Sequence, residues 1–203
     1  MMMKLNSQQI TAVILAGGMG RRMGGQDKGQ LILNGRPLIE YILEAIEPQV
    51  KTILINANRH QAEYARYGYP VVPDLLQGYQ GPLAGFASGM RAATTPYIVT
   101  LPCDGPFSAP DLVKRLATAL QSMHADIAVA HDGERLQPVY ALLPTKLQSN
   151  LEDFLASGER KIDRWYAQHN MAFADFADAT QTFQNINTPQ DQQRIQQEGL
   201  QHD

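Results

Sequence analysis

The chain carries the stretch Leu15-Ala-Gly-Gly-Met-Gly-Arg-Arg-Met-Gly-Gly-Gln-Asp-Lys28, which directly follows the apolar run Thr11-Ala-Val-Ile-Leu15. This order predicts a buried strand that ends in a glycine-rich loop with two arginines and a lysine. Glycines accept positive φ and let backbone N–H groups come close to a ligand. A concave row of N–H groups with cations nearby binds anions such as a polyphosphate. We therefore predict a nucleotide-triphosphate loop.

Two common phosphate-binding loops do not fit this stretch. A Walker A loop is excluded because no Gly-Lys-Ser or Gly-Lys-Thr follows the glycines. The dinucleotide pattern G-x-G-x-x-G is excluded because Gly17, Gly18 and Gly20 do not have its spacing. The loop is instead typical of nucleotidyltransferases.

Length and composition favour a globular protein that acts on small molecules. The 203 residues fit a single domain (1–203) with a core over about 11–195, and 44% of them are hydrophobic. The net charge of −3 argues against a nucleic-acid partner. The single cysteine, Cys103, excludes an internal disulfide framework and suits a reducing compartment. Because no signal peptide or run of 18 apolar residues is present, we expect a cytoplasmic protein without membrane contact.

Strand-like and helix-like segments alternate, which predicts an α/β fold with a mostly parallel sheet flanked by helices. The strands are predicted at 11–16, 51–56, 70–72, 97–101, 126–131 and 137–143, with a turn at Asp132-Gly133 before the last. The helices are predicted at 36–47, 82–93, 110–121, from 144 to 156, from there to about 168, and from Thr188-Pro189 onward. Pro37 is expected in the first turn of its helix, and Ser108 is expected to cap the helix at 110.

Polar residues follow four of the predicted strands, namely the loop ending at Lys28, then Asn56, Asp74 and Asp104. In open α/β sheets, ligands bind beyond the carboxyl ends of the strands. We therefore expect these residues to meet in one crevice.

Lys28 and Asp104 are the strongest candidates for chemistry. Lys28 would neutralise phosphate as a point cation, and either Arg21 or Arg22, with Arg22 preferred, would cover the phosphates. Asp104 follows a strand within Pro102-Cys-Asp-Gly-Pro106 and would hold Mg²⁺, which prefers hard oxygen ligands. The alternatives are a solvated lysine and a turn-forming aspartate.

The other polar candidates are less specific. Asp74 and Asn56 would hydrogen-bond a base or a ribose, but a turn and a strand-end cap explain them nearly as well. Cys103 is expected to be a small, partly buried residue rather than a nucleophile, because no histidine is paired with it in the sequence. Trp165 and Tyr166 are expected to pack a helix. The five histidines have no metal-ligand spacing.

These residues together resemble a known family, the molybdenum cofactor guanylyltransferases. The resemblance covers about residues 11–195. Its motifs are Leu15-Ala-Gly-Gly18, Arg22-Met-Gly24, Asp27-Lys28-Gly29, the turn at 34–38, Asn56-Ala-Asn-Arg59, Gly81-Pro-Leu-Ala-Gly85, Pro102-Cys-Asp-Gly-Pro106, His131-Asp-Gly-Glu-Arg135, Gly158-Glu-Arg160 and Asn185-Ile-Asn-Thr-Pro189. The glycine loop is shared by the wider nucleotidyltransferase superfamily, and the combination with Pro-Cys-Asp and Asn-Ile-Asn-Thr-Pro narrows it to this family.

The resemblance implies a Rossmann-like nucleotidyltransferase that transfers GMP from GTP to Mo-molybdopterin and releases pyrophosphate. It implies that the N-terminal part binds the nucleotide and the C-terminal part binds molybdopterin. Molybdenum-insertion proteins and apo-molybdoenzymes or their chaperones are the implied protein partners. The implied nucleotide contacts are Leu15, Ala16, Gly17, Gly18, Lys28, Asn56, Asp74 and Asp104, the implied molybdopterin contacts are Arg160, Asn185 and Asn187, and the implied catalytic residues are Arg22, Lys28 and the Mg²⁺ ligand Asp104.

Three other functions stay open at this point. A molybdopterin cytidylyltransferase and a sugar-phosphate nucleotidylyltransferase share the glycine loop, so the choice of base rests on Gly17, Gly18, Asn56 and Asp74. A non-catalytic, nucleotide-binding adaptor is the third possibility. Such an adaptor has no need of a metal carboxylate, whereas Asp104 and Lys28 are both present.

Overall fold

The structure, a computed structural model, describes residues 5–16, 18, 27–76 and 80–198. A seven-stranded sheet forms its centre, with the strand order β5-β4-β1-β6-β8-β7-β9. The seven strands are β1 (Ile10–Leu15), β4 (Thr52–Asn56), β5 (Val71–Val72), β6 (Tyr97–Pro102), β7 (Ile127–His131), β8 (Leu136–Pro144) and β9 (Met171–Asp175). Two further strands, β2 (Ile32–Leu33) and β3 (Arg36–Pro37), form a separate antiparallel hairpin.

Most neighbouring strands of the sheet are parallel. Strands β5, β4, β1 and β6 all run in the same direction, and β9 is parallel to β7. Strand β8 is antiparallel to both of its neighbours, β6 and β7. The predicted α/β fold with a mostly parallel sheet is confirmed.

Helices cover both faces of the sheet. They are α1 (Leu38–Ile46), α2 (Gln61–Ala65), α3 (Pro82–Ala92), α4 (Leu112–Ser122), α5 (Gln148–Ala156), α6 (Ile162–Tyr166) and α7 (Pro189–Glu198). Along β1, Ala12 and Ile14 pack in the core cluster that contains residues of α1 and α4, whereas Val13 packs with α3, α5 and α6. This alternation is the two-residue period of a strand that is buried on both faces.

Several predicted boundaries are wrong for local reasons. Helix α1 begins at Leu38 rather than Arg36, because the chain first turns back at Asn34 and Gly35, which have φ of 48° and 81°. Pro37 consequently lies at the N-cap position and pairs with Ile32 in the hairpin.

Helix α4 and the C-terminal region also depart from the prediction. Helix α4 begins at Leu112 with Asp111 at its N-cap position, and Ser108 does not cap it; the Ser108 hydroxyl is buried and has no hydrogen-bond partner among the described residues. Helix α6 ends at Tyr166 rather than near residue 168. The sequence pattern does not indicate strand β9 or helix α2.

The start of the terminal helix is confirmed. The Thr188 hydroxyl accepts a hydrogen bond from the Asp191 N–H at 3.1 Å, and the Asp191 carboxylate accepts one from the Thr188 N–H at 2.9 Å. This reciprocal arrangement satisfies N–H groups that the first helical turn leaves free. Trp165 is fully buried as predicted, and its indole N–H donates to Asn150 Oδ1 at 2.8 Å. Across the described ranges, no helix combines the length and apolar character needed to span a bilayer.

Candidate active site

A cleft of about 500 Å³ lies at the carboxyl edge of the parallel strands. Its lining comes from both the first and the last parts of the chain. The lining residues include Leu15, Gly18, Lys28, Asn56, Asp74, Gly81, Pro82, Pro102, Asp104, Val139, Asn185 and Asn187.

The strand register explains why residues distant in sequence meet here. Leu15, the last residue of β1, pairs with Asn56 at the end of β4 and with Pro102 at the end of β6. Asp104 and Asp74 come two residues after the ends of β6 and β5. Parallel strands that end at the same level deliver their following residues to one edge. The predicted crevice at the strand ends is therefore confirmed.

The Lys28 ammonium links the two ends of the chain. Its Nζ donates to Asp104 Oδ2 at 2.7 Å and to Asn187 Oδ1 at 2.5 Å. The side chain of Asp104 is 10% exposed and that of Lys28 is 26% exposed, so this ion pair is partly shielded from water. A cation held in this way remains available to additional anions that enter the cleft.

Amide side chains organise the Asp74 carboxylate at the other end of the cleft. Asn56 Nδ2 donates to Asp74 Oδ1 at 2.9 Å, and Asn58 Nδ2 donates to Asp74 Oδ2 at 2.7 Å. The Asp74 N–H in turn donates to Asn58 Oδ1 at 2.8 Å. These contacts fix the orientation of a carboxylate that faces the cleft, which gives the site a rigid hydrogen-bond acceptor.

Two buried oxygens at the Asp104 end have no partner among the described residues, namely Asp104 Oδ1 and Asn185 Oδ1. Both residues line the cleft, and the Ile186 N–H donates to the Asp104 carbonyl at 2.9 Å, which holds the two segments side by side. Gly105 permits this approach, because a Cβ there would lie 3.1 Å from Asn185 Oδ1. Buried oxygens without partners are costly unless a ligand satisfies them.

These two oxygens suit a hard cation. Within the described ranges, no group of three or more His, Cys, Asp or Glu side chains is close enough to hold a metal. Mg²⁺ does not need such a group, since it takes one or two protein ligands and completes its shell with phosphate oxygens and water. The donors at Asp104 and Asn185 therefore fit Mg²⁺ bound together with a nucleotide.

Not every candidate residue lines the cleft. Ala16 is buried beneath it and donates its N–H to the Asn56 carbonyl at 2.8 Å. Arg160 is not among the lining residues; its guanidinium donates to the Gln80 side chain, next to Gly81 at the cleft, and to the Leu155 carbonyl at 2.6 Å. Gly17, Arg21 and Arg22 lie outside the described residues.

Cys103 has the structural environment expected of it. It is buried, and burial with the neighbouring Asp104 carboxylate raises the pKa of its thiol well above the usual value. A thiol in this state is a poor nucleophile, because the thiolate is the reactive form.

Sequence reasoning assigned no role in the cleft lining to Gly81, Pro82 and Val139, and none to Asn58, which holds Asp74. Gly81 and Pro82 line the cleft at the start of α3, whereas the sequence indicates them only as a helix start and as part of the resemblance motif at 81–85. Asn58 follows the same strand end as Asn56, so its polar position was visible in the sequence. Val139 lies within β8, and no local pattern distinguishes it from any other apolar strand residue.

Comparison with known proteins identifies the family. Residues 12–172 match the family described as "MobA-like NTP transferase domain". The chain belongs to this family. Among its relatives, the molybdenum cofactor guanylyltransferase of Shewanella sediminis (strain HAW-EB3) is 51% identical over 189 residues, covering 93% of this chain and 96% of the relative. That of Shewanella sp. (strain MR-4) is 52% identical with the same coverage.

Solved structures of the MobA-like fold superpose well on this chain. Molybdopterin-guanine dinucleotide biosynthesis protein A from Archaeoglobus fulgidus has a TM-score of 0.78 at 27% identity, covering 92% of this chain and 97% of that one. A 4-diphosphocytidyl-2C-methyl-D-erythritol synthase from Anaerococcus prevotii has a TM-score of 0.74 at 13% identity over 95% of this chain and 96% of its own, and so shares the fold. The matched family and the relatives that are about half identical identify the chain as a nucleotidyltransferase.

Proposed function

We propose that this nucleotidyltransferase transfers GMP from GTP to Mo-molybdopterin, which forms the molybdopterin guanine dinucleotide cofactor and pyrophosphate. The names of relatives that are about half identical over nearly the whole chain support this substrate pair. The observation that carries the proposal is the contact of Lys28 with both Asp104 and Asn187, because it joins the predicted nucleotide and molybdopterin halves in a single cleft.

The reaction exchanges one phosphoanhydride bond for another. An oxygen of the terminal phosphate of molybdopterin attacks the α-phosphorus of GTP, and the bond from that phosphorus to the oxygen bridging the α- and β-phosphates breaks. Pyrophosphate leaves with the bonding electron pair. No covalent enzyme intermediate is needed, so the chain's task is to position the reactants and to stabilise negative charge.

The polar groups of the cleft supply these two effects. Lys28 provides positive charge for the phosphates, and in this proposal Arg22 assists it from the glycine loop. Asp104 and Asn185 would hold Mg²⁺ through the two oxygens that lack protein partners. When bound, Mg²⁺ would reduce the repulsion between the incoming phosphate and the triphosphate.

The ends of the cleft differ in what they offer to the two substrates. Asp74, held by Asn56 and Asn58, presents carboxylate oxygens to hydrogen-bond donors of the base or ribose. Leu15 and Gly18 line the cleft, and in this proposal Ala16 and Gly17 complete the backbone of the nucleotide site. Asn185 and Asn187 line the cleft beside Asp104 and Lys28, and with Arg160 we assign them to molybdopterin.

The same reasoning extends to the surroundings of the enzyme. We infer that Mo-molybdopterin is delivered by a molybdenum-insertion protein and that the product passes to apo-molybdoenzymes or their chaperones. The single cysteine is consistent with a cytoplasmic location. The net charge of −3 argues against a nucleic-acid partner.

A transfer assay tests the proposed function directly. The protein is incubated with Mo-molybdopterin, Mg²⁺ and either GTP or CTP, and the dinucleotide and pyrophosphate are measured. We expect product with GTP, and a loss of at least about a hundredfold in rate for Asp104→Ala, as for removal of a single strong electrostatic group from other active sites. Asp153→Ala is the matched control, because Asp153 is an exposed carboxylate on α5 outside the cleft lining.

The alternatives give different results in this assay. Preferred use of CTP would replace guanine by cytosine in the proposal. Tight GTP binding without turnover would indicate the non-catalytic adaptor. Equal rates for Asp104→Ala and Asp153→Ala would contradict the role of Asp104.

A further inference from the structure

The position of Lys28 depends on the residues immediately beside it in sequence. Lys28 begins a single 3-10 turn, Lys28–Gln30, whose N-cap residue is Asp27. The Asp27 Oδ1 accepts a hydrogen bond from the Gly29 N–H at 3.2 Å. A turn of three residues has little stability of its own, so its place in the fold must come from tertiary contacts.

Tyr64 provides such a tertiary contact to Asp27. It belongs to α2, is fully buried, and donates its hydroxyl hydrogen to the same Asp27 oxygen that Gly29 uses. Burial raises the pKa of this hydroxyl well above its usual value, so Tyr64 keeps its proton and remains a donor. A buried hydroxyl aimed at a carboxylate is a strong and directional anchor.

Gly29 permits the turn to lie directly on this anchor. A Cβ at Gly29 would lie 2.5 Å from the Tyr64 hydroxyl oxygen and 3.3 Å from the Cys103 Cβ. The backbone next to Lys28 is therefore pressed between Tyr64 and the residue that precedes Asp104. A shift of Tyr64 or of Asp27 would move Lys28 relative to Asp104.

We propose that Tyr64 is a positioning residue that acts through Asp27 to set where the Lys28 ammonium lies against the phosphates. Tyr64 is not among the described residues that line the cleft, so it acts on the site through the residues that it contacts. This inference rests on the proposed function for its ligand, GTP. It also links α2, which follows the strand end of Asn56, to the cation at the other side of the site.

A double-mutant cycle on GTP binding tests this role without requiring turnover. The wild type, Tyr64→Phe, Lys28→Met and the double variant are titrated with GTP and Mg²⁺ by calorimetry. We expect Tyr64→Phe to weaken GTP binding by about tenfold in the wild type, within the range of coupling for residues of one hydrogen-bond network. In the Lys28→Met background we expect a change of less than about twofold, because the group that Tyr64 positions is then absent.

Tyr69→Phe is the matched control. The Tyr69 hydroxyl also donates to a carboxylate, Glu47 Oε1 at 2.7 Å. Glu47 precedes β4 and Tyr69 precedes β5, so this pair lies at the amino ends of the strands, whereas the cleft lies at their carboxyl ends. We expect its GTP affinity to equal that of the wild type. If Tyr64→Phe also matched the wild type, or if it weakened binding by the same factor with and without Lys28, the inference would be wrong.

A crystal structure of Tyr64→Phe separates this inference from the proposed function. We expect Lys28 Nζ to lose its hydrogen-bond distance to Asp104 or to Asn187. If the wild type bound no GTP, the proposed function would fail, and this structure alone would decide the role of Tyr64. An unchanged Lys28 in that structure would overturn the inference.

Discussion

Replacing Gly85 by alanine would disturb the cleft from within helix α3. A Cβ at this position would lie 2.5 Å from Asn56 Oδ1 and 2.6 Å from Leu15 Cδ2. Both of these side chains line the cleft. Asn56 is 2% exposed and is held by hydrogen bonds to the Val72 carbonyl and to Asp74, so it has little free space into which it can move.

The expected loss of stability follows from the overpacking of this buried position. Overpacking a buried site costs about 1–3 kcal/mol, and alanine in a helix regains about 1 kcal/mol relative to glycine, so we expect a net loss of stability of about 0–2 kcal/mol. Displacing Asn56 also breaks two hydrogen bonds worth about 0.5–1.5 kcal/mol each. Because these two hydrogen bonds hold Asn56 in the nucleotide site, we expect their loss to weaken GTP binding by roughly ten- to a hundredfold.

Gly89→Ala separates the cleft from general packing. Gly89 lies one turn further along α3, and a Cβ there would lie 2.6 Å and 2.8 Å from the two γ-methyl groups of Val13. Val13 belongs to the core and does not line the cleft. Stability is measured by urea unfolding and affinity by calorimetric titration with GTP and Mg²⁺. The reasoning is refuted if both variants fold and bind GTP equally well.

Two further predictions concern groups outside this contact. The N–H groups of Arg135 and Glu134 hold the pKa of Asp132 at about 2, below its unfolded value of about 3.9. We expect Asp132→Asn to be less stable than the wild type near pH 7, with the difference in unfolding free energy shrinking as the pH falls from about 4 to about 2; a difference independent of pH would argue against this. Burial raises the pKa of the Cys103 thiol, so we expect an aromatic disulfide reagent to label it slowly in the native protein and rapidly in urea, and fast native labelling would contradict that environment.

The part of the site that lies at strand ends could be predicted from the sequence. Apolar runs followed by Asn56, Asp74 and Asp104 are local patterns, and the parallel arrangement of the strands converts them into spatial neighbours. The position of each residue along its own strand was therefore sufficient. The same reasoning places Leu15 beside Asn56, as the strand register confirms.

Boundaries that depend on competing local signals were less predictable. Pro37 suits both a first helical turn and an N-cap, and the Asn34-Gly35 turn decides between them by returning the chain into a hairpin. Strand β9 lies at the sheet edge and is not indicated by the sequence, because one of its exposed positions carries the apolar Phe173, which is 58% exposed, so that alternating burial is not accompanied by alternating polarity. The sequence of this strand therefore lacks the apolar–polar alternation that indicates a half-buried strand.

Contacts between distant segments could not be derived from the sequence pattern at all. Lys28 and Asn187 are 159 positions apart, and no periodicity relates them. The family resemblance implies that Asn187 is a functional residue. Its hydrogen bond to Lys28, however, depends on the packing of the last helix. The role of Tyr64 has the same origin, because its partner Asp27 is 37 positions away.

The order of synthesis matters for the site, because helix α7 is the last element of the chain that the structure describes. Ile195 is buried with Leu31, Leu38 and Ile186, and the Gln192 side chain donates to the Ile32 carbonyl at 2.5 Å. These contacts hold the segment carrying Asn185 and Asn187 against the first third of the chain. Synthesis releases the chain from its N-terminus first. Lys28 therefore emerges long before Asn187, and it gains this last neighbour only after residue 195 has left the exit tunnel.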